Sequence, residues 1–339
     1  MKKSFVGMQL QMKGLFACAV MATVGTSLPA NAKPKFIIFD PPGSIATTSR
    51  VISNGSVAGY YQDAQSVYHG FMRASDGVIT TFEVAGATNT YAGSIDEAGT
   101  ITGFYAQNGI DHGFLRTQDG AIETFDPVGS VGTIGLSINN GAVTGFYYDV
   151  NGIPHGYVRL DGGEIVTFDP TGSVYTNPTS INARGAIAGL YLDSSGLGHG
   201  FVRYPDGSIT AFDPPDSTYT AAVSINKNAA IAGFYYDSRS DIHGFVRAPD
   251  GTITTFDVDR ASATQPASID DQGRVAGFAL DRYFTAHGFL QLPDGTVKRF
   301  DPPTSAYTTV ESIDYGGGAI TGEYADQQSF LFHGFILMP

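Results

Sequence analysis

One tripeptide organises this chain. "HGF" or "HGY" begins at His69, His112, His155, His199, His243, His287 and His333, and these are all seven histidines of the 339-residue sequence. A second element, "FD" or "FE", ends at Asp40, Glu83, Asp126, Asp169, Asp213, Asp257 and Asp301. Seven residues beyond each acid stands a threonine, from Thr47 to Thr308. A constant offset in every copy defines a repeat of about 44 residues, so the fold must be built from copies of one unit.

The copy from Thr220 to Asp257 shows what the unit is. "TAAVSIN" and "AIAGFYY" alternate in hydropathy around the tight turn "KNA". After the loop "DSRSDI", the run "HGFVR" meets "TITTFD" across "APDG", a turn of the Pro-Asp-Gly kind. Four antiparallel strands in such a length match one β-propeller blade, whereas a β-helix coil is much shorter. The last copy ends at "HGFILMP" without a fourth strand, and "FIIFDPP" near residue 36 is a fourth strand with nothing before it. Pairing Phe36–Asp40 with the strand around Phe335 completes the last blade and hides an exposed edge. The expected fold is therefore all-β: a seven-bladed β-propeller over residues 33–339, its ring closed by the N-terminal strand in a three-plus-one arrangement.

The pattern "SIN-x-x-G-x-I-x-G-x-Y" followed by "HGF-x-R" resembles the HAF-type extracellular repeat proteins, and the topology is similar to that of WD-repeat propellers. The resemblance covers about residues 36–339. The chain departs from it in having Gly where the name places Ala, and in its "FDPP" ending. It implies an exported repeat protein and no assigned reaction.

Residues 1–32 read as a secretory signal peptide. Lys2, Lys3 and Lys13 precede the apolar run "GLFACAVMATVGTSL", and "ANA" at Ala30–Ala32 is a cleavage site. Cys18, the only cysteine, leaves with it, so no disulfide is expected. Losing three lysines and no acid takes the net charge from −13 to −16. Such a surface repels phosphate, which excludes nucleic acid, and no further apolar span follows that could enter a membrane. A monomer outside the cytoplasm, secreted or periplasmic, is expected.

Seven equivalent histidines read as scaffold. Counting outward from the hairpin turn puts His243 beside Asp257, and the same register pairs each His with an acid. His333 would meet Asp40 through ring closure. Function should then show where the repeats disagree. The long connections, from strand two to three and from strand four to one, share one face. Tyr68, Tyr283, Phe284, Phe330, Leu331 and Phe332 fall in its strand two-to-three loops, in the first, sixth and seventh copies. They form either an exposed binding patch or a cover over the closing seam. In the sixth copy Gln291 replaces the repeat Arg and Ala279 the repeat Tyr, while Arg260 and Arg282 occupy the two long connections. These arginines suit a carboxylate or uronate, or else pair with Asp259 and Asp281. Tyr175, Tyr219 and Tyr307 share one place in the four-to-one loops, where they either ring a channel mouth or pack between blades.

No serine-hydrolase elbow, zinc-protease motif, Walker loop, dinucleotide fingerprint or Cys-based metal spacing is present. No cofactor or metal is expected. Two functions remain: a binding module for a glycan or protein ligand on the long-loop face, or a polysaccharide-active enzyme, lyase or glycosidase, at the channel mouth. For a lyase, Tyr307 as base and Arg282 as neutralising cation are the pair to inspect.

Overall fold

Short apolar runs separated by Gly-, Asn- and Asp-centred turns resolve into strands, with no helix among the described residues. The computed structural model describes residues 35–339; the signal-peptide reading, Cys18 and the cleavage point at Ala32 lie outside the described residues. Twenty-eight strands run from Lys35–Phe39 to Phe332–Met338.

Group five is typical. Its strands are Ser217–Ile225, Ile231–Asp237, Ile242–Arg247 and Ile253–Phe256, each antiparallel to the next. They match the four runs expected from the sequence to within a few residues. Glycine is obligatory at two kinds of position. Gly251, at φ 94°, closes the "PDG" turn with its N–H on Ala248 O at 2.9 Å. A Cβ on Gly233 would instead collide with the carbonyl of Ala221 and the ring of Phe245.

The remaining strands fall into the same fours, giving seven groups. The seventh, Ser305–Ile313, Ile320–Asp326 and Phe332–Met338, takes its fourth strand from Lys35–Phe39, with Phe36 opposite Leu337 and Ile38 opposite Phe335. Single parallel bridges, such as Gly198 with Tyr219, join some groups edge to edge.

Every junction between groups is made the same way. The Phe of "FD" meets the buried aromatic of the next "HGF" or "HGY" edge-to-face, from Phe39–Phe71 at 6.0 Å to Phe300–Phe335 at 6.4 Å. Such pairs add about 0.5–1.5 kcal/mol each beyond their buried area. The core therefore lies between groups; Phe245 and Ile231, for instance, pack with Ala188 and Val202 of the group before. Hydrogen bonds follow the same path. Ser137 Oγ accepts from Ile181 N, Ser180 Oγ from Ile225 N and Ser224 Oγ from Ile269 N. The seventh group contacts the first through Gly55 N to Asp314 Oδ2 at 3.3 Å.

Candidate functional site

The histidines pair with acids as the register requires. Nδ1 reaches the acid at 2.6 Å in His69–Glu83 and His155–Asp169, 2.7 Å in His112–Asp126, His199–Asp213 and His333–Asp40, 2.8 Å in His287–Asp301 and 3.0 Å in His243–Asp257. In five groups Nε2 faces a second carboxylate, such as Asp63 for His69 and Asp237 for His243. In every group but the sixth, where Ala279 lies opposite His287, a tyrosine of the neighbouring strand covers the ring, as Tyr235 covers His243 at 5.1 Å. The same Nδ1 pairing in all seven groups gives these imidazoles a structural role as fasteners of the hairpin.

The repeat threonine, whose purpose the spacing alone does not disclose, extends this chain across the junction. Thr47 Oγ1 donates to Asp40 at 2.6 Å and Thr176 Oγ1 to Asp169 at 2.5 Å, so one carboxylate holds a His of its own group and a Thr of the next.

The strand two-to-three loops are shaped by an aspartate. Asp281 Oδ1 accepts from Tyr283 N and Thr285 N, and its carbonyl accepts from Phe284 N at 2.9 Å. The residue closing that turn must be left-handed. It is Gly152, Gly196, Ser66 or Ser240 elsewhere, but Phe284 (φ 64°) in the sixth group and Phe330 (φ 55°) in the seventh. Both rings face solvent, Phe284 58% and Phe330 60% exposed, beside exposed Tyr283 and Leu331. The other two aromatics of the expected cluster lie elsewhere. Tyr68 stacks among Tyr60 and Tyr91, at 5.9 and 5.0 Å, and Phe332 sits half-buried in the strand that bridges to Ala46. The exposed patch thus belongs to the sixth and seventh groups alone.

Three tyrosines need correction. Tyr175, Tyr219 and Tyr307 are not in loops; they lie within the first strands Ser173–Ile181, Ser217–Ile225 and Ser305–Ile313. The strands begin earlier than the spacing suggests, because each extends back past the turn after "FDP". Tyr219 packs on Tyr236 at 5.4 Å and against Gly198 of the preceding group, where any Cβ would meet its ring. Burial pushes its phenol up to about 12.

Arg260 pairs with Asp259 at 3.5 Å, both almost fully exposed, and Arg282 lies 4.7 Å over the ring of Tyr283. The partner of Arg282 is therefore Tyr283, and Tyr307 lies opposite Ala325.

Sequence reasoning missed the register shifts of the first strands. Each first strand carries a register shift that turns one residue out of the ladder: Arg50, Gly93, Leu136, Thr179, Val223, Ala267 and Glu311. The two charged ones meet across the junction of groups seven and one, Arg50 Nη1 to Glu311 Oε2 at 2.5 Å. The Arg50 side chain is 35% exposed and that of Glu311 16%, so solvent reaches the pair. The charge of Glu311 makes Arg50 hold its proton more tightly; burial opposes this, and Tyr60 and Glu323 add to it. At the short-turn end, Tyr315 reaches from the seventh group to Ser180 and Ser224 of the fourth and fifth. The signals were an Arg and a Glu at one repeat position and an extra residue in "DYGGGA".

A cavity of about 450 Å³ lies beside Asp126, Tyr147 and Ile165. Asp126 and Tyr147 are repeat positions, so nothing singles it out.

No family model and no curated protein matches this chain. Solved structures do. Virginiamycin B lyase from Staphylococcus aureus aligns with 14% identity and a TM-score of 0.61, over 91% of this chain and 100% of that one. The β-propeller domain of the Trilobed protease from Pyrococcus furiosus, which has an open velcro topology, aligns with 10% identity and a TM-score of 0.62, over 86% and 95%. Puromycin hydrolase gives 10% identity and 0.60, over 85% of this chain and 52% of that one. At such identities the likeness is one of fold: this is an all-β protein of the β-propeller class.

Proposed function

We propose that the chain is an exported, HAF-type propeller of seven four-stranded blades, closed by its N-terminal strand, that serves as a binding module. Twenty-eight strands fit seven blades of four, and the pairing of Lys35–Phe39 with Phe332–Met338 supports closure. The basic, apolar and A-x-A segments of the leader support export. The ligand, a glycan or a protein, seats on the long-loop face at blades six and seven.

One observation carries the binding role: two phenylalanines hold a backbone conformation that costs about 1–3 kcal/mol, and both remain more than half exposed. Rings left so exposed return little of that cost on folding, whereas a ligand that covers them gains from both. The test is a thermal-shift screen of the purified protein against soluble neutral, amino and uronic polysaccharides. A ligand at a hundred times its dissociation constant adds about 2.7 kcal/mol. The shift should vanish in Phe284→Ser with Phe330→Ser; a ligand that binds this double variant as tightly as the parent overturns the assignment.

A second reading, turnover of a bound polysaccharide, draws on the Arg50–Glu311 pair at the junction of groups seven and one rather than on Tyr307 and Arg282. Release of new reducing or unsaturated ends, lost in Glu311→Gln, is its signature.

A further inference from the structure

We propose that the ligand of the long-loop face is a carboxylate-bearing glycan, a uronate chain, held by the arginines of blades five and six; this rests on the binding-module reading and names its substrate class. The distribution of cations carries it. Five repeat arginines, Arg73, Arg116, Arg159, Arg203 and Arg247, lie at the far end of the strands over the outer-strand Phe of the preceding blade. Arg184, Lys227 and Arg274 belong to the short turns there. Arg50 is taken up by Glu311, so among the described residues the arginines left for the long-loop end are Arg239, Arg260, Arg282 and Arg299, all in blades five and six or the connection between them.

These four face outward. Arg239 is 77% exposed beside Asp237 and Asp241, and Arg260 90% exposed beside Asp259. Arg299 donates to the Asp259 carbonyl, which ties the outer strand of blade six to the loop that carries Arg260. Arg260, like Phe284, holds a left-handed φ, 60°. Arg282 lies on Tyr283, so guanidinium and exposed ring form one platform.

A chain of net charge −13 repels an anion over most of its surface. The arginine sector is where an anionic chain can land, and the guanidinium fork matches a carboxylate. The aromatic faces take the flat side of a sugar ring. A protein partner would favour a contiguous apolar centre depleted of charge; here a guanidinium, Arg282, lies on an exposed ring, Tyr283.

The experiment compares oligogalacturonate, its methyl ester and poly-glutamate by calorimetry on the purified protein, with chelator present. Oligogalacturonate should bind, weaken as salt is raised, and lose about tenfold or more in Arg260→Gln with Arg282→Gln, a variant whose melting temperature stays that of the parent. The methyl ester should bind at least tenfold more weakly. Equal binding of acid and ester overturns the carboxylate assignment while leaving a glycan-binding module intact. Equal binding of poly-glutamate makes the sector a site for acidic polypeptide and overturns the glycan. Failure of all three, with another ligand found to need Phe284 and Phe330, likewise removes the uronate and keeps the face.

Discussion

At the residue scale, Phe284 and Phe330 set local stability against something else. Glycine fits a left-handed turn without strain, and the equivalent loops use Gly152 and Gly196 there. Phe284→Gly and Phe330→Gly should each raise unfolding stability by about 1 kcal/mol in urea while weakening ligand binding. Variants that lose stability instead would mean the rings pack in solution. The histidines make a second prediction. Burial lowers the affinity of His199 for its proton, but hydrogen bonds and charge from Asp213 and Asp193 outweigh this. Asp301 likewise raises His287. A raised pKa stabilises the fold below the unfolded value of about 6.5 and is lost as pH climbs through the folded one. Asp326 moves the opposite way, drawn down to about 2 by the Gln328 and Ser329 amides, so its contribution fades as pH falls toward 2. The urea midpoint should therefore be higher at pH 5.5 than at pH 8, and His287→Gln should narrow that gap. Both the pairs and their register were legible from spacing, because a hairpin with a fixed turn leaves no freedom in which residues face each other.

Elements are where legibility thinned. Strand existence and order followed from the repeat. However, a register shift moves one side chain out of the alternation without changing the repeat length, so Arg50 and Glu311 looked like ordinary strand residues. The tyrosines at 175, 219 and 307 were misplaced because "FDP" reads as a loop start although the next strand begins only a few residues on. The closing strand gives the element-scale prediction. Phe39 is buried between Phe71 and Arg73 of the first group. Phe39→Ala should cost about 3–5 kcal/mol, and the cost should fall on the junction of groups seven and one. Hydrogen exchange would check it: protection should be lost first in Phe332–Met338 and Tyr68–Arg73. Uniform loss across the groups would instead mean that the strand supports no particular junction.

For the whole molecule, seven junctions built on the same aromatic pair, the seventh group with the first included, favour one cooperative unit. A single unfolding transition and a monomer by light scattering are expected. The Arg50–Glu311 ion pair tests how much the contact between groups seven and one contributes. Arg50→Met leaves Glu311 beside Glu323 uncompensated and should cost about 1–3 kcal/mol, less than for a dry pair because solvent reaches the guanidinium. Adding Glu311→Leu should recover most of it. The sequence disclosed the face that carries the long loops, since that follows from strand order. Which residues on that face are exposed did not follow, because exposure depends on how each loop leans on its neighbour.

The hydrogen-bonded partners Lys35–Phe39 and Phe332–Met338 stand some three hundred residues apart in the chain. Synthesis runs from one to the other, so among the described residues the first strand to be made is paired only by the last. Until those final residues emerge, every earlier blade can be in place and the edge meant for them still stands open. Its completion thus waits on the seventh group, and a nascent chain stalled there would present that edge to any neighbour able to add a strand.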